Sequence, residues 1–146
     1  MIETTVLSRQ PSWLVVAMLV GIIYGAIGVL LAIPSNHVQV WRLSAWMISA
    51  AVYFLHIGTE HFKLRNSFLA SSFHVAAAVA IGGLALAVAA LIHSFFVVLP
   101  YPRARLYLAL VLWPILTGIP SFLVALIVTG LLAWLMPGRV ARPSRP

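Results

Sequence analysis

The sequence predicts an all-α integral membrane protein with four transmembrane helices in an up-down bundle. Composition is the first reason: of 146 residues, 63% are hydrophobic and 8% charged, with a mean hydropathy of +1.09. So few polar groups cannot cover a soluble surface. The second reason is arrangement, because the apolar residues gather in four long continuous runs between Arg9 and Arg139. The third is the absence of short alternating segments with frequent turns, which a barrel would need. The backbone must therefore close its hydrogen bonds inside helices.

Residues 1–12 form a polar N-terminal segment ending in Pro11-Ser12, a good helix start. The first helix is expected over 13–33 and stops at Pro34-Ser35-Asn36. It is too long for the apolar core of a signal peptide and no small-x-small cleavage site follows it, so it is read as a retained span. The second covers about 40–62 and continues past the membrane edge for a turn or more. The third covers about 69–99, ending at Pro100-Tyr101-Pro102, and the fourth about 106–136, ending at Pro137-Gly138. Each exceeds the roughly 20 apolar residues that cross a bilayer, and the last two are long enough to tilt or kink. Residues 13–136 thus make a single transmembrane domain. The tail, 137–146, combines arginine with proline and is expected to lie unpacked on anionic lipid.

The formal charge of +7 does not point to nucleic acid, because the basic residues stand at the ends of apolar runs, where they meet lipid headgroups. Arg9, Lys63, Arg65, Arg139, Arg142 and Arg145 fall on one side; Arg42, Arg103 and Arg105 fall on the other. That bias places both termini in the cytoplasm. The compact, alanine- and arginine-rich composition fits a bacterial inner (plasma) membrane.

Nearly all the embedded polarity lies on the second helix. Arg42, Ser49, Tyr53, His56, Glu60 and Lys63 fall within an arc of about 80° when residues are placed about 100° apart. Arg42 and Lys63 can snorkel to opposite faces, and Glu60 can pair with Lys63 one turn on. Ser49 can bond a backbone carbonyl and Tyr53 a neighbouring helix, which leaves His56 in need of a special partner. Intramembrane ionisable groups normally face a bundle interior. A short connection makes the second and third helices antiparallel neighbours, so His74 is expected to approach His56 and Glu60. Two imidazoles and a carboxylate suit a proton relay, or a metal or haem b held by His56, Glu60 and His74. His56-Ile57-Gly58-Thr59-Glu60-His61 is not a zincin motif, however.

Small residues recur on single faces: Gly21 and Gly25 on the first helix; Ser71, Ala78, Gly82, Ala85 and Ala89 on the third; Thr117, Ser121, Ala125, Thr129 and Ala133 on the fourth. Such faces let membrane helices approach closely. In Trp113-Pro114-Ile115-Leu116-Thr117-Gly118-Ile119-Pro120-Ser121 two prolines each remove a backbone donor, predicting a kinked or broken helix. Thr117 and Ser121 are the expected partners of the freed carbonyls.

Catalytic classes are largely closed. The two carboxylates are Glu3 and Glu60, and the chain has no aspartate and no cysteine, which removes Ser/His/Asp hydrolysis, thiol chemistry and a magnesium cage. The leading expectation is a non-catalytic structural or accessory bundle that meets membrane lipids, self-associates as a homo-oligomer or joins a larger membrane complex. The first alternative is a small homo-oligomeric transporter or channel whose pathway uses Ser49, Tyr53, His56, Glu60, Thr117 and Ser121. The second is a metal- or haem-binding membrane subunit.

Overall fold

A computed structural model of the chain describes residues 12–64, 66–98 and 102–135. These comprise α1 (Trp13–Leu30), α2 (Val38–Gly58), α3 (Phe68–His93) and α4 (Ala104–Leu135), and α2 runs on into a single π-helical turn, Thr59–Lys63. All four helices are long and apolar enough to cross a membrane. The polar N-terminal segment up to Pro11 and the tail beyond Leu135 lie outside the described residues.

Local chemistry explains the helix ends. The hydroxyls of Ser12 and Ser67 cap α1 and α3, accepting from the amides of Val15 at 3.4 Å and Ala70 at 3.3 Å. His37 precedes α2 with φ 49° and ψ 42°, a left-handed conformation that completes the tight reversal after Pro34-Ser35-Asn36. Helix α1 stops at Leu30, short of the expected Ile33. The amides of Ala32 and Ile33 reach back three residues, to Val29 at 3.1 Å and Leu30 at 3.4 Å, and Pro34 disfavours helix in the residue before it. Helix α3 ends at His93 rather than at 99. Ser94 donates its hydroxyl to the Leu91 carbonyl at 2.6 Å, and the amides of Phe95 and Phe96 take three-residue bonds at 3.1 and 3.0 Å.

Helix α4 is continuous through Pro114 and Pro120, in keeping with the single span expected over 106–136; the alternative of a broken helix is not seen. Each proline deprives one carbonyl a turn earlier of its donor, yet no unwinding follows. Nor does Thr117 rescue those carbonyls. Its hydroxyl bonds the Trp113 carbonyl at 2.8 Å and the Pro114 carbonyl at 3.4 Å, the back-bonding that threonine makes inside helices.

Helix α3 is the centre of the molecule. Helix α1 packs along it in the same direction, since Trp13 meets Phe73 and His74 while Gly28 lies against Leu86. Helix α4 packs along it in the opposite direction, with Gly83 against Thr117 and Ser72 against Thr129, their hydroxyls 3.3 Å apart. Glycine and alanine set these distances. A Cβ on Gly82 would fall 2.6 Å from Tyr24 Cβ, and one on Gly25 would fall 2.8 Å from Ala85 Cβ. The small-residue faces are therefore the α1–α3 and α3–α4 seams.

Helix α2 is seated differently. Its C-terminal half lies on the three-helix layer: Val52 and Tyr53 pack on Ala17, Tyr24 and Ala78, while Ile57 packs with Val75 and Ala125. Its N-terminal half is mostly exposed, including Leu43, Trp46 and Met47.

A test of the seams follows from Gly21. A Cβ there would stand 2.6 Å from Ile81 Cγ2 and 2.9 Å from the Ala78 carbonyl oxygen, whereas one on Gly130 meets nothing within 4 Å. Gly21→Ala is expected to lower stability by about 1–3 kcal/mol through overpacking. Gly130→Ala should be neutral or slightly stabilising, both measured by reversible unfolding in mixed micelles.

Candidate functional site

The embedded polar groups concentrate at the end of the bundle that carries Trp13. His56 and Glu60 are one turn apart on α2, so their side chains share the face that turns onto α3. At Thr59 the helix widens: the Leu64 amide bonds the Thr59 carbonyl at 3.1 Å, five residues back, and Thr59 turns its own hydroxyl to the Leu55 carbonyl. This π-turn absorbs an extra residue and leads into the link that carries Asn66.

Glu60 is the focus, with only 1% of its surface exposed. Its Oε2 accepts from Asn66 Nδ2 at 2.7 Å and lies 3.1 Å from His74 Nδ1. The His74 ring stacks on the Trp13 indole at 4.7 Å and 6°, and Phe73 stands edge-on to the same indole at 5.9 Å. On the other side His56 Nε2 is 3.7 Å from Glu60 Oε1, too far for a hydrogen bond. Glu60 Oε1, both ring nitrogens of His56 and Ser71 Oγ are buried without a hydrogen-bond partner. Leaving such groups unpaired in a low-dielectric interior is costly.

The convergence of His56, Glu60 and His74 expected from sequence is present. It is a carboxylate clasped between two imidazoles, and among the described residues no three His, Cys, Asp or Glu side chains form a group able to hold a metal ion. With one carboxylate touching both rings, they do not face each other across a gap that a haem would fill. Tyr53 reaches a neighbouring helix as expected, donating its hydroxyl to the Ser121 carbonyl at 2.5 Å. Ser121 Oγ is buried and unpartnered, and Thr117 belongs to the α3–α4 seam. Ser49 is half-buried, four residues before Tyr53. Arg42 lies at the far end of α2 beside a shallow depression lined by Trp41 and the 31–35 turn. The Lys63 side chain, the expected partner of Glu60, lies outside the described residues; Asn66 and His74 hold the carboxylate.

Sequence reasoning missed Asn66 and Trp13 at this site, and placed Ser71 only on a small-residue packing face. Asn66 was the more legible of the two, a polar amide six residues beyond Glu60 in a short link. Trp13 reads as an ordinary interfacial aromatic, and nothing in its spacing announces a histidine partner on another helix.

Fold and site together define a small integral membrane protein, a four-helix bundle with a sealed His–Glu–His cluster at one end. No known protein family, curated protein or solved structure matches the chain.

Removing either donor to Glu60 Oε2 is expected to be expensive. Asn66→Ala should cost about 1.5–3 kcal/mol, the usual range for a hydrogen bond to a charged group. The pair Asn66→Ala/His74→Ala should cost more than the sum of the single losses, because each single variant keeps one donor on that oxygen. A double-mutant cycle of unfolding free energies in mixed micelles checks both.

Proposed function

We propose that the protein is a non-catalytic accessory bundle that associates with copies of itself or joins a larger membrane complex. The observation that carries this reading is the use made of the polar side chains. Glu60 joins α2 to α3 through His74, Tyr53 joins α2 to α4, and Ser72 meets Thr129 across the α3–α4 seam. Each closes a joint between helices, and Glu60 and His56, at 1% and 5% exposure, leave no surface for a substrate to reach. The same bundle leaves the N-terminal half of α2 with little of its own chain against it, and Trp46 and Met47 there are among the most exposed large side chains. Such a helix is suited to bury its surface against another helix, where close packing replaces lipid contact. In this reading the protein resides in a bacterial inner membrane with both termini in the cytoplasm, surrounded by lipid.

A second reading, a small homo-oligomeric transporter or channel, is favoured by one feature. Ser121, Tyr53, His56 and Glu60 form a file of polar groups from the middle of α4 to the end of α2, several with unpaired buried atoms. Intramembrane ionisable groups often mark ion or proton pathways.

The absence of cysteine makes crosslinking clean. With Leu43→Cys or Met47→Cys, oxidation in native membranes should give a discrete covalent dimer or a defined larger adduct, while Ala78→Cys, fully buried, should give none. If neither α2 cysteine crosslinks, and proteoliposome flux of a solute falls at least tenfold in His56→Ala, the accessory reading is overturned in favour of transport.

A further inference from the structure

The polar stripe of α2 has a member that the cluster at the Trp13 end does not use. Val38, Trp41, Arg42 and Ala45 recur at three- and four-residue spacing, so they share one face of the helix. Continued along α2, that face carries Ser49 and Tyr53, and Tyr53 packs on Ala17, Tyr24 and Ala78. Arg42 therefore stands on the side of α2 that turns toward the bundle, where its own chain does not cover it. The buried residues of α1 are Ala17, Gly21, Tyr24 and Gly25, and those of α2 are His56 and Ile57. No residue after Gly25 on α1, or before His56 on α2, is buried. Between these two uncovered helix ends lies the depression beside Arg42, about 410 Å³ in volume. Gly28, Leu31 and Ile33 wall it on one side; Trp41, Arg42 and Ala45 wall it on the other.

The cation in this wall has no counter-charge among the described residues. Glu60 is the carboxylate among them, and it is sealed at the opposite end of the bundle by Asn66 and His74. Arg103 and Arg105, both exposed, stand at the same end as Arg42 and add to its positive field. A second copy of the chain would bring the same described groups and no free carboxylate. At a helix end in a membrane, the anions within reach are lipid phosphates.

We propose that this depression binds one anionic phospholipid. The headgroup phosphodiester accepts from the Arg42 guanidinium, whose planar fork matches two phosphate oxygens, and from the Ser35 hydroxyl in the turn. Trp41 lies beside it at headgroup depth, where indoles favour the interface. One acyl chain runs inward against Gly28, Leu31 and Ala45, the deeper part of the same walls. An anionic lipid is selected over a zwitterionic one because the latter brings an ammonium to an end already rich in arginine. The bound lipid fills the space that α2 leaves beside α1, so its presence steadies the N-terminal half of α2. The site is independent of whether the bundle serves as an accessory or a transporter.

The test is native mass spectrometry of the full chain in a mild detergent, with phosphatidylglycerol and phosphatidylcholine of matched acyl chains added in equal amounts. The expected result for the wild type is one retained phosphatidylglycerol, favoured over phosphatidylcholine by about tenfold, as a charge-assisted phosphate contact allows. That preference should be lost in Arg42→Gln and kept in Arg105→Gln. Ala45→Trp, which fills the apolar wall and leaves the cation in place, should lower retention of both lipids. Equal retention of the two lipids by the wild type, an unchanged preference in Arg42→Gln, or an equal loss in Arg105→Gln overturns the proposal. So does displacement of phosphatidylglycerol by inorganic phosphate, which would mark an anion site with no place for a chain. Should Arg42→Gln fail to fold, Ala45→Trp decides, and undiminished lipid retention there overturns the site.

Discussion

A carboxylate with 1% of its surface exposed, inside a helix that crosses a membrane, constrains what can stand beside it. Lipid offers it no donor, so donors must come from the chain, and a lone carboxylate inside the hydrocarbon would cost several kcal/mol. Glu60 meets this demand from two directions: His74 from α3, and Asn66 from the link that follows the π-turn. The short connection between α2 and α3 and the stacking of Trp13 on the histidine both serve that end. The rest of α2 inherits its position from this anchor. Held near Glu60 and Tyr53, the helix leaves the layer progressively toward Arg42.

The remaining three helices follow a different rule. Lipid tails are as apolar as leucine, so burying apolar area gives little drive for helices to associate, and fit between surfaces has to supply it. This is why the seams are lined with glycine, alanine, serine and threonine while leucine, isoleucine and phenylalanine face outward. Ala17, Ala78, Ala87 and Ala125 are almost fully covered, and Leu19, Leu30, Phe73 and Leu108 are half exposed or more. A soluble bundle would show the reverse. The hydroxyls of Thr129 and Ser72 meet in the α3–α4 seam because each also has a carbonyl on its own helix, so close approach leaves neither unsatisfied.

Much of this was legible in the sequence, for physical reasons. Runs of apolar residues longer than a bilayer is thick admit few alternatives, and the i,i+4 spacing of His56 and Glu60 fixes them on one face whatever surrounds them. His74 could be placed with them because a short link makes neighbours antiparallel. The partners that depend on exact rotation were not legible. Asn66 reaches Glu60 only because of the π-turn, and a regular-helix wheel contains no such turn. The stacking of Trp13 on His74 depends on α1 running alongside α3, while chain order suggests α2 as its neighbour. The two prolines of α4 left a broken and a continuous helix both open, and the long flanks keep the helix continuous around them.

The π-turn at Thr59–Lys63 also has a consequence for how this end of the protein tolerates change in length. An α-helix advances about 100° per residue, so a turn holding one surplus residue sets everything beyond it at a rotation that regular winding would not give. Loss of the His61 codon would let the helix close into ordinary α geometry while removing neither Glu60 nor the large apolar Phe62. It would nonetheless swing the link by roughly a quarter turn and carry Asn66 away from the carboxylate. Glu60 apart, the segment therefore behaves as a phase-setting element, in which residue number matters more than residue type.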